Sequence, residues 1–430
     1  MSKKVSVIGL GYMGLPTAII LAEHGFEVFG YDIDEAKINN IKNCKSVINE
    51  PELIDRLKAV LSSNLKVSNK LVEADFYMIS VPTPITESKS ADLSAVWAAT
   101  KEISKIIKSG DTVILESTSS VGTTKKLAQM LEDFSGLKSG QDFFVGYSPE
   151  RAIPGKTFFE VVNNNRVIGG INEKSTEKIH ELYSQFVKGE ISLTDSNTAE
   201  MVKLVENSSR DVQIAFANQV AAMAYEVGID PYELIDLANK HPRVKILSPR
   251  CGVGGHCIAV DPWFLIEAFP KQTELLQAAR KVNDTKPYQV IEIVEEHIKK
   301  LNLNRKCNLL ILGLTFKPDV DDLRESPALK IAQEFAKKEN INLSVYDPNI
   351  SFGHPECLSE INVLRDYKNA INSADLILIL VGHKEFKNSA DLFLGKRVLD
   401  FSGLNLNQVE KQINLLRNYS NPSTSSGRAG

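Results

Sequence analysis

Residues 250–262 read Arg-Cys-Gly-Val-Gly-Gly-His-Cys-Ile-Ala-Val-Asp-Pro, and this run concentrates more chemistry than any other stretch of the chain. Three glycines let backbone come close to another group, and Cys257 follows with Asp261 four residues on. A cysteine placed so can be a nucleophilic thiol, deprotonated by nearby positive charge or backbone N–H groups. It can equally be a buried free cysteine beside a glycine turn. A zinc reading would draw on His241, Cys251, His256 and Cys257. Adjacent His-Cys suits one tetrahedral site badly and no CxxC supports it, so no metal is expected. A second group lies upstream: Lys203, Asn207 and Arg210 fall at i, i+4 and i+7 of a helical pattern and share one face. Spacing alone leaves that face open to two readings, a solvated stripe or a ligand-binding one. Thr83, Thr118 and Glu150 each follow a strand pattern, where an open parallel sheet lines its ligand crevice. A threonine there serves equally as a turn or cap residue, so Glu150 is the best of the three for handling water or protons.

These residues need elements to hold them. Val5–Ile8 reads as a strand that runs directly into Gly9-Leu10-Gly11-Tyr12-Met13-Gly14; a helical stretch over 18–22 ends at Gly25, and a second strand over 28–31 ends at Asp32. Strand, GxGxxG, helix, strand and an acid about twenty residues past the glycines make a dinucleotide fold. The glycines admit a pyrophosphate to a helix N-terminus. Asp32 would accept from ribose hydroxyls and repel a 2′-phosphate, which favours NAD over NADP. Further strands are predicted at 76–81, 112–116 and 143–147, separated by helical patterns around 53–61, 96–107 and 124–131. From Asn197 to Gly228 the pattern is one long helix with a capping-box-like start, Asn197-x-x-Glu200. Its apolar neighbours Met201, Val202, Leu204, Val205, Ile214 and Phe216 predict substantial burial. In the last third, strands at 308–312, 343–346, 376–381 and 398–401 surround Gly313-Leu314-Thr315-Phe316-Lys317, Ser326-Pro327 and Asp347, echoing the first half as a degraded Rossmann-like domain. Residues 421–430 are low-complexity and expected to be disordered.

At 430 residues the chain has room for about three domains. Its 50 Lys and Arg against 54 Asp and Glu give a net charge of −4 without a basic block, which argues against nucleic acid or an anionic membrane surface as partner. No apolar run is long enough to span a bilayer. Met1–Lys4 passes at once into the first strand, which leaves no signal-peptide pattern, and five cysteines without CxxC spacing suit a reducing compartment; the expectation is cytoplasmic.

Taken in order, the blocks Gly9-x-Gly11-Tyr12-x-Gly14, Glu116-Ser117-Thr118, Pro149-Glu150-Arg151, Lys203-x3-Asn207, Gly254-Gly255-x-Cys257-x3-Asp261 and Phe316-Lys317-x6-Arg324 resemble the UDP-glucose/GDP-mannose dehydrogenase family over about residues 1–417. Within it, Ala199-Glu200-Met201, Arg210-Asp211-Val212, His241-Pro242-Arg243-Val244 and Gly255–Trp263 resemble the branch acting on UDP-N-acetylhexosamines, and among these the enzymes of the manno sugar. UDP-glucose enzymes typically carry Ser before the cysteine and Phe after it. Pro154 stands where they tend to have a second glutamate, so that position is assigned no role.

The resemblance implies an α/β fold of two Rossmann-like, doubly wound parallel-sheet domains joined by a long central helical region. The expected limits are 1–190 for the NAD-binding domain, 191–300 for the central domain with the cysteine loop, 301–418 for the UDP-sugar domain, and a tail from 419. It implies four-electron oxidation of the sugar C6 alcohol to a carboxylate with NAD as cofactor. Cys257 would capture the aldehyde; Asp261 with Lys203 would hold the water that acts as base; Lys203 and Asn207 would stabilise oxyanions; Glu150 would help activate the hydrolytic water, with Thr118 beside them. Gly9, Gly11, Tyr12, Met13, Gly14, Asp32, Thr83, Thr118, Thr124 and Arg324 would hold NAD. Arg151, Ala152, Lys203, Asn207, Arg210, His241, Arg243, Gly254, Phe316 and Lys317 would hold the UDP-sugar. A homodimer or higher homo-oligomer, paired through the central region, is implied as well. Without the resemblance, Lys317 and Arg324 read as a surface ion cluster with Asp319, Asp321, Asp322 and Glu325. The rival functions are the same chemistry on UDP-N-acetylglucosamine, a single-oxidation dehydrogenase with Cys257 as bystander, and a regulatory NAD-binding module without turnover.

Overall fold

The computed structural model describes residues 3–45, 48, 50–350, 358–359 and 361–404; the low-complexity tail lies outside them. The chain forms two compact units, one from the residues up to Asn207 together with Asp261–Thr273, the other from Ser208–Val260 and the described residues from Glu274 onward. The helix Ser196–Glu226 carries the chain from the first into the second.

The first unit is built on an eight-stranded sheet. Its strands are β1 (Lys4–Ile8), β2 (Glu27–Tyr31), β3 (Leu65–Ser68), β4 (Phe76–Ile79), β5 (Thr112–Leu115), β6 (Phe144–Tyr147), β7 (Arg166–Gly170) and β8 (Ile191–Asp195). The order β3-β2-β1-β4-β5-β6-β7-β8 reverses between β1 and β4, which opens the crevice of a doubly wound sheet at the end of β1. Near-continuous apolar strands, such as Val5 and Val7 of β1 and all four residues of β4, reflect burial on both faces. The one departure from parallel pairing is β7, antiparallel to β6 with Gly146 opposite Gly170. Neither β3 nor β7 and β8 stood out in the sequence: β3 is four residues long, and β8 exposes three of five.

The second unit holds a four-stranded parallel sheet ordered β10-β9-β11-β12, from β9 (Cys307–Leu312), β10 (Ile341–Tyr346), β11 (Leu376–Ile379) and β12 (Val398–Asp400). The helix Pro327–Ala336 covers it after a Ser326 cap whose Oγ accepts from Leu329 N–H, as Ser-Pro at a helix start predicts. Ahead of this sheet come the distal part of Ser196–Glu226 and Glu274–Leu301, which clasp a buried polar chain: Arg280 Nη1 donates to Asp211 Oδ1 at 2.7 Å, Asn283 Nδ2 to the same oxygen at 2.8 Å, and Asn218 Nδ2 to Asn283 Oδ1 at 3.0 Å. Asn218 Oδ1 then accepts from the Arg250 N–H at 2.9 Å, which anchors the start of the cysteine loop.

The long helix is less buried than its apolar residues predicted. Met201, Val205, Phe216 and Met223 are 40 %, 47 %, 53 % and 59 % exposed. Its start also differs from the capping-box reading. Asp195 Oδ1 accepts from the N–H of Asn197 and Thr198, while Glu200 turns to another helix altogether.

Candidate active site

In the first unit the end of β1 feeds a tight glycine turn. Gly9 has φ +94°, and a Cβ there would lie 2.6 Å from Ser80 O; a Cβ on Gly14 would lie 1.9 Å from Gly9 O. A Cβ on Gly11 would meet nothing within 4 Å, so the backbone there faces open space, the cradle a pyrophosphate needs at the N-terminus of the helix Gly14–Glu23. Tyr12 and Met13 sit half-buried in that turn. Asp32, at the end of β2, accepts from Leu10 N–H at 2.9 Å and from Lys37 Nζ at 2.7 Å. Burial alone would raise its pKa, but the Lys37 bond and the N–H groups of Asp34 and Leu10 outweigh it and keep the group a carboxylate. Turn, open cradle and acid fit a dinucleotide.

Thr83 and Thr118 are half-buried beyond β4 and β5. Thr124 is fully buried, and its hydroxyl and N–H both donate to Glu200 Oε1, at 2.6 and 2.7 Å, while Gly122 N–H donates to Glu200 Oε2. Glu200 thus caps the helix Thr123–Ser135 from outside it. A partner 76 residues away has no local signature.

Four expected catalytic residues meet within this unit. Lys203 Nζ donates to the Glu150 carbonyl at 2.9 Å, and Asn207 Nδ2 donates to Asp261 Oδ2 at 2.5 Å. One turn of helix separates Lys203 from Asn207, so both pairs stand side by side. Burial pushes the Asp261 carboxyl up to about 6, against the pull of the Lys203 charge and the Asn207 hydrogen bond. An acid with that pKa is a competent base near neutral pH. Arg151 pairs with Glu206 at 2.8 Å, and the N–H groups of Arg151 and Ala152 donate to Glu150 Oε1.

The remaining residues belong to the second unit. Cys257 is half-buried and in no disulfide. The glycines before it explain themselves: a Cβ on Gly254 would lie 2.5 Å from Glu325 O, and one on Gly255, at φ +80°, 2.7 Å from the Phe316 ring. The loop therefore lies directly on the Phe316–Pro327 segment, with Gly255 N–H donating to Arg324 O at 3.1 Å. A recess beside it is lined by Arg250, Gly252, Phe316, Lys317, Pro318 and Gly382. Arg324 is half-exposed and donates to both Asp322 oxygens, as the ion-cluster reading predicts. Arg210, His241 and Arg243 are exposed, and Arg243 N–H reaches His241 Nδ1 at 3.3 Å. Among the described residues no three His, Cys, Asp or Glu side chains are grouped to hold a metal ion, and no helix is long and apolar enough to cross a membrane.

Three successive segments match one family's domains: residues 3–187 its NAD binding domain, 197–285 its central domain and 310–404 its UDP binding domain. The chain belongs to the UDP-glucose/GDP-mannose dehydrogenase family. The glycine turn and Asp32 lie within the segment that matches the NAD binding domain, and the protein is an NAD-dependent dehydrogenase. It is 44 % identical over 391 residues to UDP-N-acetyl-D-mannosamine dehydrogenase of Methanococcus vannielii, covering 90 % of this chain and 87 % of that one. It is 40 % identical over 413 residues to NDP-N-acetyl-D-galactosaminuronic acid dehydrogenase of Ralstonia nicotianae, covering 94 % and 96 %. Among solved structures, UDP-D-ManNAc dehydrogenase from Pyrococcus horikoshii matches with TM-score 0.85 at 39 % identity, covering 93 % and 96 %.

Arg166 is the site residue that sequence reasoning missed. It opens β7, 4 % exposed, and its Nη2 donates to Glu150 Oε2 at 2.5 Å. The signal was there in principle: one cation at the head of an otherwise apolar run, Arg166-Val167-Ile168-Gly169-Gly170.

Proposed function

We propose that the protein oxidises the C6 alcohol of UDP-N-acetyl-D-mannosamine to the carboxylate in two successive two-electron steps at one centre. The substrate reading is supported by relatives of that activity at 44 % and 39 % identity over most of the chain. The observation that carries the chemistry is Asp261, a buried acid hydrogen-bonded by Asn207, with a pKa of about 6 and four residues after Cys257.

NAD would supply the two-electron acceptor for each oxidation, and Gly9, Gly11, Tyr12, Met13, Gly14, Asp32, Thr83 and Thr118 would hold it, with Arg324 a further expected contact; Thr124, buried and bound to Glu200, would not touch it. Asp261, through a water, takes the C6 hydroxyl proton. The Lys203 ammonium beside it favours the alkoxide-like charge that develops. The Cys257 thiolate adds to the C6 aldehyde, forming a C–S bond and an oxyanion that Lys203 and Asn207 neutralise. Covalent capture keeps the aldehyde from leaving between the two oxidations. The second two-electron oxidation converts this thiohemiacetal to a thioester, and water then cleaves the thioester with Glu150 as its anionic partner, returning the thiolate and releasing the carboxylate. Arg151, Ala152, Arg210, His241, Arg243, Gly254, Phe316 and Lys317 would bind the UDP-sugar. Exposed apolar residues of the central region, Phe216, Met223, Val227 and Leu237, support pairing of two copies there. NAD and a nucleotide sugar are cytoplasmic metabolites, which supports that location.

The test is NADH formed per UDP-N-acetylmannosamine consumed, with UDP-N-acetylglucosamine and UDP-glucose in parallel. The expected ratio is two on the manno sugar, and Cys257→Ser should form no carboxylate while still binding NAD. A ratio of one, or full carboxylate from Cys257→Ser, removes the covalent mechanism. Two NADH from another sugar alone would retain the chemistry and replace the substrate.

A further inference from the structure

The Glu150 carboxylate is held from several sides. Its Oε1 accepts from Arg151 N–H at 2.6 Å and Ala152 N–H at 2.8 Å, and its Oε2 accepts from Arg166 Nη2 at 2.5 Å. Arg166 is itself fixed. Its guanidinium lies 4.6 Å from the centre of the Tyr183 ring, and its Nη1 donates to Ser148 Oγ at 3.3 Å. Beyond it stands a second buried acid, Glu116, whose Oε1 is 3.8 Å from Arg166 Nη1 and accepts from Tyr183 Oη at 2.6 Å. Ser80 Oγ donates to the other Glu116 oxygen at 2.7 Å. One cation therefore lies between two carboxylates that are 2 % and 7 % exposed. Two buried acids compete for it, and it sits closer to Glu150.

We infer that Arg166 is a positioning residue for the oxidation: it holds Glu150 as an anion in one orientation and so builds the turn whose carbonyl receives Lys203. The inference rests on the reading above that Glu150 and Lys203 serve the reaction. The physical argument is direct. An unpaired carboxylate in this setting takes up a proton rather than stay charged. Protonated Glu150 would present an O–H where Arg166 donates, and it would accept more weakly from the two N–H groups that shape residues 150–152. The Lys203 ammonium is bound to the carbonyl of that same turn, so a change at Arg166 reaches it by way of Glu150. The contrast between the acids supports this. Burial acts to raise both; at Glu150 the charge and hydrogen bond of Arg166 prevail and the pKa is lowered, while at Glu116 burial prevails and the pKa is raised. The titratable and charged groups around the Arg166–Glu150 pair are Glu116 after β5, Tyr183 at the end of the helix Glu173–Tyr183, Lys203 on the long helix, which meets the Glu150 carbonyl, and Arg151 in the turn of Glu150 itself.

The test is a double-mutant cycle on the full-length enzyme with Arg166→Gln, Glu150→Gln and the pair, following kcat against pH, KM for NAD and thermal melting. Arg166→Gln should lower kcat by up to about 100-fold, the scale of a misplaced catalytic group. It should also move the acid limb of the kcat profile to higher pH, because Glu150 then protonates more easily, and leave KM for NAD nearly unchanged. In the Glu150→Gln background the same change should add almost nothing, since its route is gone. Arg166→Lys, which keeps the charge and loses the fork, should recover part of the rate and part of the acid limb. If Arg166→Gln does not fold, Arg166→Lys carries the same cycle. Full multiplication of the two losses, or an unmoved pH profile, overturns the inference and leaves the Glu150 reading standing. A Glu150→Gln enzyme with wild-type turnover overturns that reading itself.

Discussion

Each unit contains a strand, a glycine turn, a helix and a second strand ending in an aspartate, and the two aspartates begin with the same task. Asp32 accepts from the N–H of Leu10, next to Gly9; Asp347 accepts from the N–H of Leu314, next to Gly313, at 2.7 Å. Each carboxylate thereby ties a glycine turn to the neighbouring strand. They differ in the side chain that completes the set. Asp32 pairs with Lys37, a flexible ammonium 30 % exposed, whereas Asp347 lies 3.1 Å from His383 Nε2, with both side chains at 0 % exposure. His383 is locked in turn, because its Nδ1 accepts from Asp319 N–H at 3.0 Å. A lysine can swing away and leave the first acid to ribose hydroxyls; a buried imidazole cannot. The same supersecondary pattern leaves its acid with a movable partner in one unit, as the proposed NAD contact requires, and makes an internal clamp in the other.

The largest effect expected from this contrast is on stability, at Asp347. Asp347→Ala strips a buried imidazole and the backbone N–H groups of Leu314, Thr315 and Asn349 of their acceptor, and should cost about 3–5 kcal/mol in chemical denaturation with NAD affinity unchanged. Burial acts to raise the Asp347 pKa, but the His383 hydrogen bond and the N–H groups of Leu314 and Asn349 prevail and lower it. Its contribution is therefore complete above the unfolded carboxylate value of about 3.9 and fades as pH falls through the lower folded value. The acid side of the stability curve should flatten in Asp347→Asn. A variant that loses NAD affinity instead would erase the distinction between the two acids.

Next in size is Asp32→Ala. Losing hydrogen bonds to a charged acceptor should raise KM for NAD by roughly 10- to 100-fold, with preference for NAD over NADP reduced. Steady-state kinetics with both cofactors checks this, and an unchanged preference would deny Asp32 its ribose role. The smallest effect belongs to Lys37→Ala. With the ammonium gone, Asp32 opposes a 2′-phosphate unscreened, so the NADP-to-NAD ratio of KM values should rise about two- to fivefold, the scale of a half-exposed ion pair. A fall in that ratio would mean that Lys37 does not shield Asp32.

Legibility followed range in the chain. The helix Leu53–Leu61 carried its own periodicity and matches the expected span, and β1, β2 and Asp32 followed from spacing. Lys203 and Asn207 could be placed on one helical face, yet not their partners, because Glu150 and Asp261 are 53 and 54 residues away. Arg166 lies in a strand that does not stand out in the sequence, and Glu200 reads there only as part of a capping box. Nothing near them in the chain signals a carboxylate to clamp or a helix to cap elsewhere.

By itself the sequence determined where a dinucleotide is gripped, because that grip is built within about thirty consecutive residues, where glycine spacing and an acid at a strand end are physical requirements. It also singled out Cys257, Lys203, Asn207 and Asp261 as candidates for chemistry. Only the tertiary structure decided which acids are free to act and which are bound: Asp32 beside a movable lysine, Asp347 under a histidine, Glu150 held by an arginine, Glu200 occupied by a distant helix. Those choices rest on pairs of buried polar groups brought together from far along the chain, and a hydrogen bond between distant residues leaves no period in the sequence to read.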